Sequence, residues 1–150
     1  MTNKAGRGVR IMRRVGGFTL LELMIVVVII AVLAALAVPA FGRYAYRAHR
    51  VDGQELLLRI ANAQERFYAT NNHYGALTEI GYDSPALSEK RYYSVTSVPA
   101  AASTSQTFTI TATPVGAQLK DVCGALSIDN AGVKLPAAND TTHNSNGSCW

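Results

Sequence analysis

The stretch GGFTLLELMIVVVIIAVLAALAVPAF, residues 16–41, decides the fold, because Glu22 is its only charged residue. A helix rises about 1.5 Å per residue, so roughly 20 apolar residues cross the ~30 Å hydrocarbon core of a bilayer. Residues 23–38 form an unbroken apolar run, and no further charge appears before Arg43. The stretch therefore predicts a helix that begins near residue 18 and can span a membrane.

The segment in front of this helix is basic. Five positive charges and no negative ones precede Gly17: Lys4, Arg7, Arg10, Arg13 and Arg14. Positive residues next to a membrane span favour the cytoplasmic side, so we expect the rest of the chain to face the periplasm or the exterior. Without these five charges the formal net charge of +4 becomes −1. The overall basicity is therefore no argument for nucleic-acid binding by the whole chain.

Glu22 needs an explanation, since an acid costs up to about 3 kcal/mol at the bilayer centre. An ordinary secretory signal has a shorter apolar core that ends at a small-x-small cleavage site, which residues 39–42 do not provide. A plain signal anchor leaves Glu22 unexplained. A cut between Gly17 and Phe18 would create an α-amino group four residues before Glu22, on one helix face. Pairing with that amine, or with the amine of a neighbouring subunit, would set the stagger between helices.

The sequence Gly17-Phe18-Thr19-Leu20-Leu21-Glu22 resembles the processing site of type IV prepilins and related pseudopilins. The resemblance implies that a prepilin peptidase cuts after Gly17, that Phe18 becomes N-methylated and that Glu22 supports subunit assembly. Pro39 matches a proline that is common in the helix of this family. The close match covers about residues 13–45.

This resemblance also implies an organisation, a location and a set of partners. Residues 1–17 would be a cleaved leader, 18–45 a transmembrane and assembly helix, and 46–150 a globular pilin domain. The protein would cross the inner membrane once, with its globular domain in the periplasm, and then enter a pilus fibre at the cell surface. Its partners would be the lipid bilayer, the prepilin peptidase, the inner-membrane assembly platform and other pilins.

Residues 35–50 predict two further features of the helix. Pro39 lacks the amide hydrogen that would bond the carbonyl of Ala35, so we expect a kink or local melting near residues 35–42. Three arginines follow at helical spacing: Arg43, Arg47 and Arg50. We expect them at the outer membrane–water boundary, where they reach lipid phosphates or pair with acids of neighbouring subunits.

The remaining sequence predicts an α+β fold. The helical pattern continues through Leu56, Ile60 and Phe67 and stops near Asn71, which gives one helix from about 18 to 70. Four strand-like segments follow: residues 91–98, 107–113, 122–129 and 133–135. A hairpin turn at residues 130–132 precedes the last of them. The predicted fold is a long N-terminal helix whose second half packs on a roughly four-stranded antiparallel sheet.

Cys123 and Cys149 are the only cysteines. A pair outside the cytoplasm favours a disulfide, which would close a loop of about 27 residues and contribute roughly 3 kcal/mol. Two buried thiols are the alternative, and the scattered histidines do not give the ligand spacing of a zinc site. The ending Cys149-Trp150, with residues 121–123 and 128–133, resembles PilE-type minor pilins of type IVa pili.

No catalytic motif accompanies these features. The chain has no H-E-x-x-H, no P-loop and no nucleophile elbow, so we expect no enzymatic activity, no cofactor and no metal. The predicted function is that of a minor pilin that supports pilus biogenesis, twitching motility and adhesion. The alternatives are a pseudopilin of type II secretion and a DNA-binding minor pilin for natural transformation.

The DNA-binding alternative depends on four basic residues: Lys90, Arg91, Lys120 and Lys134. They could contact phosphates, with Tyr92 or Tyr93 available to stack on a base. The competing interpretation is that they are scattered surface charges, and the near-neutral charge of the chain without its leader favours it.

Overall fold

The computed structural model describes residues 17–96 and 105–150 and shows one long helix followed by a sheet. The helix, α1, spans Leu20–Asn71, which confirms the predicted single helix from about 18 to 70. The hydroxyl of Thr19 caps its first turn by accepting the amide of Glu22 at 3.2 Å. At the other end, Asn72 has a φ of 55° and stops the helix.

The chain divides into two compact units between Val38 and Pro39. In the first unit, every residue from 17 to 38 is exposed. An 18-residue window of α1 has a mean hydropathy of 3.1, so the helix is long and apolar enough to cross a membrane. Helical backbone continues through residues 35–42. The predicted local melting near Pro39 is therefore absent from the described backbone, and the kink that was predicted as its alternative stays a prediction.

The second unit contains an antiparallel sheet of five strands in the order β1-β2-β3-β4-β5. The strands are β1 Ala86–Leu87, β2 Tyr93–Val95, β3 Thr109–Pro114, β4 Leu126–Asp129 and β5 Lys134–Leu135. The prediction of about four strands missed β1, which lies in a segment that is otherwise rich in turns. Ala86 opposes Val95 and thereby adds β1 at the edge of the sheet.

Two of the predicted strands are at most half their predicted length within the described residues. Residues 122–125 form a turn before β4, so only the second half of segment 122–129 is a strand. In segment 91–98 the strand covers Tyr93–Val95, and residues 97 and 98 lie outside the described residues. The hairpin turn predicted at 130–132 does join β4 to β5.

The core lies between α1 and one face of the sheet. Along β3 the buried residues alternate with exposed ones, and Ile110 and Ala112 are fully buried. They belong to the same apolar cluster as Leu57 and Ile60 of α1. Burial of every second residue along a strand, and of residues on one face along a helix with 3.6 residues per turn, is the pattern that a helix packed on a sheet produces.

Gly53 brings the helix close to the sheet. A Cβ atom built at Gly53 would lie 2.7 Å from Cδ2 of Tyr93, whose side chain is fully buried. The glycine thus makes room for the aromatic ring, although within a helix it is about 1 kcal/mol less favourable than alanine.

Cys123 and Cys149 form a disulfide with an S–S distance of 2.04 Å, which confirms the predicted pair. Both are buried. The bond joins the turn before β4 to the C-terminal end of the chain.

Candidate assembly and interaction surfaces

The first candidate surface is the N-terminal end of α1. Gly17 and Phe18 precede the helix and are exposed, and the Phe18 side chain is 81% exposed. The peptide bond between them therefore lies in non-helical, accessible backbone, which is the form in which a peptidase can bind its substrate. Thr19 and Glu22 have the spacing of a capping box, which is a sequence signal for the start of α1.

Glu22 lies in the first turn of α1, where a negative charge is favourable beside the positive end of the helix dipole. Within residues 17–96 and 105–150, no hydrogen bond or ion pair reaches its carboxylate. The pairing of Glu22 with an amine thus remains a proposal.

Arg50 anchors the C-terminal loop to α1. Its Nε and Nη2 donate to the two oxygens of Asp121 at 2.8 and 2.7 Å. Its Nη1 donates to three backbone carbonyls at 2.9 to 3.0 Å: those of Asn146, Gly147 and Ser148. The Arg50 side chain is 1% exposed and that of Asp121 0%. The buried cation is thus balanced by a buried carboxylate and by carbonyl dipoles.

The predicted location of the three arginines is wrong for Arg50, which lies inside the protein. Arg47 also turns to the C-terminal loop, since its Nε donates to the carbonyl of Asn146 at 2.9 Å. Arg43 is exposed, and its own carbonyl accepts the Asn146 side-chain amide at 3.1 Å. Helical spacing placed these residues on one side of the helix, but it could not show that a distant loop covers that side.

Three of the four basic residues predicted to contact DNA lie at the same end of the sheet. Lys90 and Arg91 lie in the turn between β1 and β2, and Asp52 of α1 fixes that turn by accepting the amide of Lys90 at 3.1 Å. Lys120 ends a short 3-10 helix at Gly116–Lys120. That helix adjoins the turn, because the amide of Val115 donates to the carbonyl of Tyr92 at 2.8 Å. We call the exposed side chains of Lys90, Arg91 and Lys120 the basic end.

Lys134 does not belong to the basic end. It lies on β5, three strand spacings or about 14 Å from β2. Its ammonium sits 4.9 Å from the centre of the Trp150 ring. The four predicted residues therefore do not form one contiguous patch.

Tyr93 is not available for stacking on a base, and Tyr92 is available on one face at most. Tyr93 is fully buried, and its hydroxyl accepts a hydrogen bond from Gln118 at 3.1 Å. Burial raises the pKa of Tyr93 above its usual value. Tyr92 is half-buried and stacks on His49 with 3.7 Å between ring centres, so one of its faces is already covered.

Among residues 17–96 and 105–150, no group of His, Cys, Asp or Glu side chains is arranged to hold a metal ion.

Two family models match the sequence. Residues 12–38 match the prokaryotic N-terminal methylation motif. Residues 39–127 match a model described as the type IV minor pilin ComP, DNA uptake sequence receptor. Among solved structures, the chain is similar to a type IV pilin from Shewanella oneidensis, with 34% identity and a TM-score of 0.50 over 70% of this chain and 97% of that one. No curated protein matches the chain.

Proposed function

The chain belongs to the type IV minor pilins of the ComP family, and from this membership we propose that it enters a pilus after cleavage between Gly17 and Phe18. The observation that carries the proposal is that every residue from 18 to 38 is exposed. A helix with apolar side chains on all sides must be covered by lipid or by other helices. In a membrane-anchored precursor the helix is covered by lipid, and after assembly it is covered by the helices of other pilins.

The N-terminal residues have distinct roles in this proposal. The basic leader holds the cleavage site in the cytoplasm, where a prepilin peptidase cuts and Phe18 is methylated, while the globular unit faces the periplasm. Glu22 then pairs with the new amine of its own chain or of a neighbour, so that subunits stack with one stagger. Pro39 leaves the Ala35 carbonyl without its helical partner, which lowers the cost of bending the helix when the assembly platform extracts the chain.

Substitution of Glu22 tests this assembly step. We expect Glu22→Ala to lower the amount of chain in sheared filaments about tenfold relative to the processed chain in the membrane, with cleavage unchanged. Leu21→Ala is the matched control, because it truncates a neighbouring side chain without removing a charge. Normal incorporation of Glu22→Ala would contradict the assembly role. Twitching motility and adhesion belong to the same proposal and are measured in a strain that lacks the chain.

The minor-pilin family model and the similar solved structure favour a pilin over the alternative of a type II secretion pseudopilin. The discriminating phenotype is protein secretion: a pilin is expected to leave it intact when deleted.

DNA binding is a second candidate function, favoured by the basic end and by the DNA uptake receptor named in the matching model. Lys90, Arg91 and Lys120 are exposed, and within the described residues none of them takes part in an ion pair. We propose that they contact DNA phosphates. Such contacts release counterions, and each neutralised phosphate contributes about 0.9 to the slope of log K against log salt.

The salt dependence of DNA binding by the full chain in detergent tests this second function. Replacing Lys90, Arg91 and Lys120 with glutamine should reduce the slope by up to about 3. Lys134→Gln is the matched control, since Lys134 lies outside the basic end, and it should leave the slope nearly unchanged. An unchanged slope in the triple variant would rule out the basic end as the DNA contact.

A further inference from the structure

The part of α1 that follows the uncharged stretch carries an exposed cation between two exposed aromatic rings. Arg43 is the first charged residue after Glu22, and it is exposed. Phe41 and Tyr44, on either side of it, are exposed as well. Aromatic and basic residues beside an apolar span are typical of a membrane–water interface. We therefore expect this part of α1 at the level of lipid head groups.

A second element is held at the same level of α1. The side-chain amide of Gln118 donates to the carbonyl of Tyr46 at 3.2 Å, and its oxygen lies 3.1 Å from Nδ1 of His49. Tyr46 is four residues beyond Gly42, where the uncharged stretch ends, and four residues span about 6 Å along a helix. Because Gln118 is fully buried, it fixes the short 3-10 helix at Gly116–Lys120 against this turn of α1.

The end of that 3-10 helix combines an apolar and a basic side chain. Leu119 is 65% exposed, and Lys120 beside it is exposed. A single exposed leucine is ordinary on a protein surface, but this one is held at the level where α1 is expected to enter lipid. We call the juxtamembrane surface the set of Phe41, Arg43, Tyr44, Leu119 and Lys120.

The juxtamembrane surface carries positive charge that no neighbouring acid balances. Within the residues that the structure describes, neither Arg43 nor Lys120 forms an ion pair. Asp121 follows Lys120 directly, but its side chain is 0% exposed and is paired with Arg50. A surface with both cations and apolar side chains complements an anionic bilayer, in which a layer of phosphates covers hydrocarbon.

We propose that the juxtamembrane surface docks on the anionic phospholipid head groups of the bilayer that α1 spans, with Leu119 inserted among them. The contact rests on the membrane-anchored precursor of the proposed function and requires neither cleavage nor a filament. Because the spanning helix already holds the surface at the membrane, docking is an intramolecular step that loses little translational freedom. A few weak contacts are then enough to hold the globular unit on the lipid.

This lipid contact and the proposed DNA contact belong to different stages of the protein. Lys120 is shared by the two surfaces, so docking covers it until the chain leaves the bilayer, and DNA is bound afterwards. DNA phosphates would satisfy the cations of the juxtamembrane surface, but they offer no apolar environment to Leu119. A lipid bilayer satisfies both.

Site-specific photo-cross-linking measures the contact directly. The full chain, with benzoylphenylalanine in place of Leu119, is inserted into nanodiscs of phosphatidylethanolamine and phosphatidylglycerol, and lipid adducts are quantified by mass spectrometry. The matched control carries benzoylphenylalanine in place of Val133, which is 54% exposed. The carbonyl of Val133 accepts the amide of Asp129, which opposes Thr109 at the far end of β3 from the 3-10 helix.

Strand β3 has six residues and spans about 20 Å, so the two probe positions are well separated. We expect lipid adducts to be about tenfold more frequent at position 119 than at position 133, because an interfacial side chain reaches only about 5–10 Å into the head-group boundary. Equal frequencies at the two positions would overturn the proposal.

Removal of charge tests the choice of anionic lipid. Arg43→Gln/Lys120→Gln should lower the adducts at position 119 about fivefold or more in the anionic discs and leave those in phosphatidylcholine discs nearly unchanged. Arg66→Gln/Lys134→Gln is the matched control, because it removes two exposed cations outside the juxtamembrane surface, and it should change neither. An equal loss in both kinds of disc, or no loss, would overturn the proposal.

DNA binding by the full chain in detergent distinguishes the other polyanion that this surface could contact. Leu119→Gln should leave the salt slope and the affinity for DNA unchanged. Weaker DNA binding in this variant, without lipid adducts at position 119, would assign the surface to DNA and overturn the lipid contact.

A third probe position separates failure of this proposal from failure of the proposed function. Ile30 lies within the apolar run and is exposed, so benzoylphenylalanine in its place should form lipid adducts whenever the helix spans the disc. Adducts at position 30 without an excess at position 119 would show that the docking is wrong and leave the membrane-anchored precursor intact. An absence of adducts at position 30 would contradict that precursor, and the docking that rests on it would fail as well.

Discussion

Arg50 and Asp121 lie 71 residues apart in the sequence and form a bidentate ion pair, with N–O distances of 2.8 and 2.7 Å. Their side chains are 1% and 0% exposed. The same guanidinium donates hydrogen bonds to three backbone carbonyls of the C-terminal loop, at residues 146–148. One buried side chain therefore joins the helix, the segment before β4 and the C-terminal loop.

Removal of Arg50 should strongly destabilise the globular unit. Arg50→Leu leaves the Asp121 carboxylate buried without its partner, and we expect the free energy of unfolding to fall by about 3–5 kcal/mol. Urea unfolding of the full chain in detergent measures it. Arg66→Leu, at an exposed arginine, is the control and should change stability by less than about 0.5 kcal/mol. The double variant Arg50→Leu/Asp121→Leu should be more stable than Arg50→Leu alone.

A methyl group at Gly53 should be destabilising although alanine favours helices. Its Cβ would lie 2.7 Å from the buried ring of Tyr93, and overpacking costs about 1–3 kcal/mol, against a helix-propensity gain of about 1 kcal/mol. We expect Gly53→Ala to lower the thermal midpoint. Gly42→Ala meets no atom within 4 Å and is the matched helical control. An increase in stability from Gly53→Ala would contradict the close packing of the helix on Tyr93.

Loss of the disulfide should weaken the fold without releasing the C-terminal loop. Cys123→Ala/Cys149→Ala should lower the free energy of unfolding by roughly 3 kcal/mol. Before unfolding, Arg50 still holds three carbonyls of the loop, and Trp150 still donates from its ring to the carbonyl of Leu135 at 2.8 Å. Native-like Trp150 fluorescence is therefore expected in the double variant. A fully solvated spectrum would show that the disulfide alone holds the loop.

The Asp140 turn should loosen only in strong acid. The backbone amide and the ring of His143, with the amide of Thr142, bond to the Asp140 carboxylate and hold its pKa below the ordinary value of about 3.9. Because the pKa is depressed in the folded state, the ionised carboxylate stabilises the turn at every pH above the ordinary aspartate pKa. This stabilisation is lost as the pH falls through the lower pKa of the folded state. The protection of the His143 amide against hydrogen exchange, relative to its intrinsic rate at each pH, should fall there. Asp140→Asn should remove that acid-dependent step.

The helix, most of the sheet and the disulfide could be predicted because their signals are local. An apolar run, alternating strands, a hairpin turn and two cysteines can each be recognised within a few residues or by count. Strand β1 has only two residues and exists because Ala86 meets Val95, so no local pattern reveals it. The burial of Arg50 depends on Asp121 and on loop carbonyls that are distant in sequence, and the burial of Tyr93 depends on Gly53.

The residues of the candidate surfaces also differ in how well the sequence predicts them. Gly17, Phe18 and Glu22 belong to one short motif and could be found from the sequence. The four predicted DNA contacts were chosen by charge alone, which gave no information on their spacing. The order of the strands separates Lys134 from the other three.

We propose above that the chain is processed at Gly17 and built into a pilus. Mass spectrometry of the chain from sheared surface filaments and from the remaining membranes tests it most directly. We expect a filament fraction in which the chain begins at N-methylated Phe18 and is present at low abundance beside a major pilin. A chain that stays in the membrane, begins at Met1 or is cut elsewhere would contradict the account.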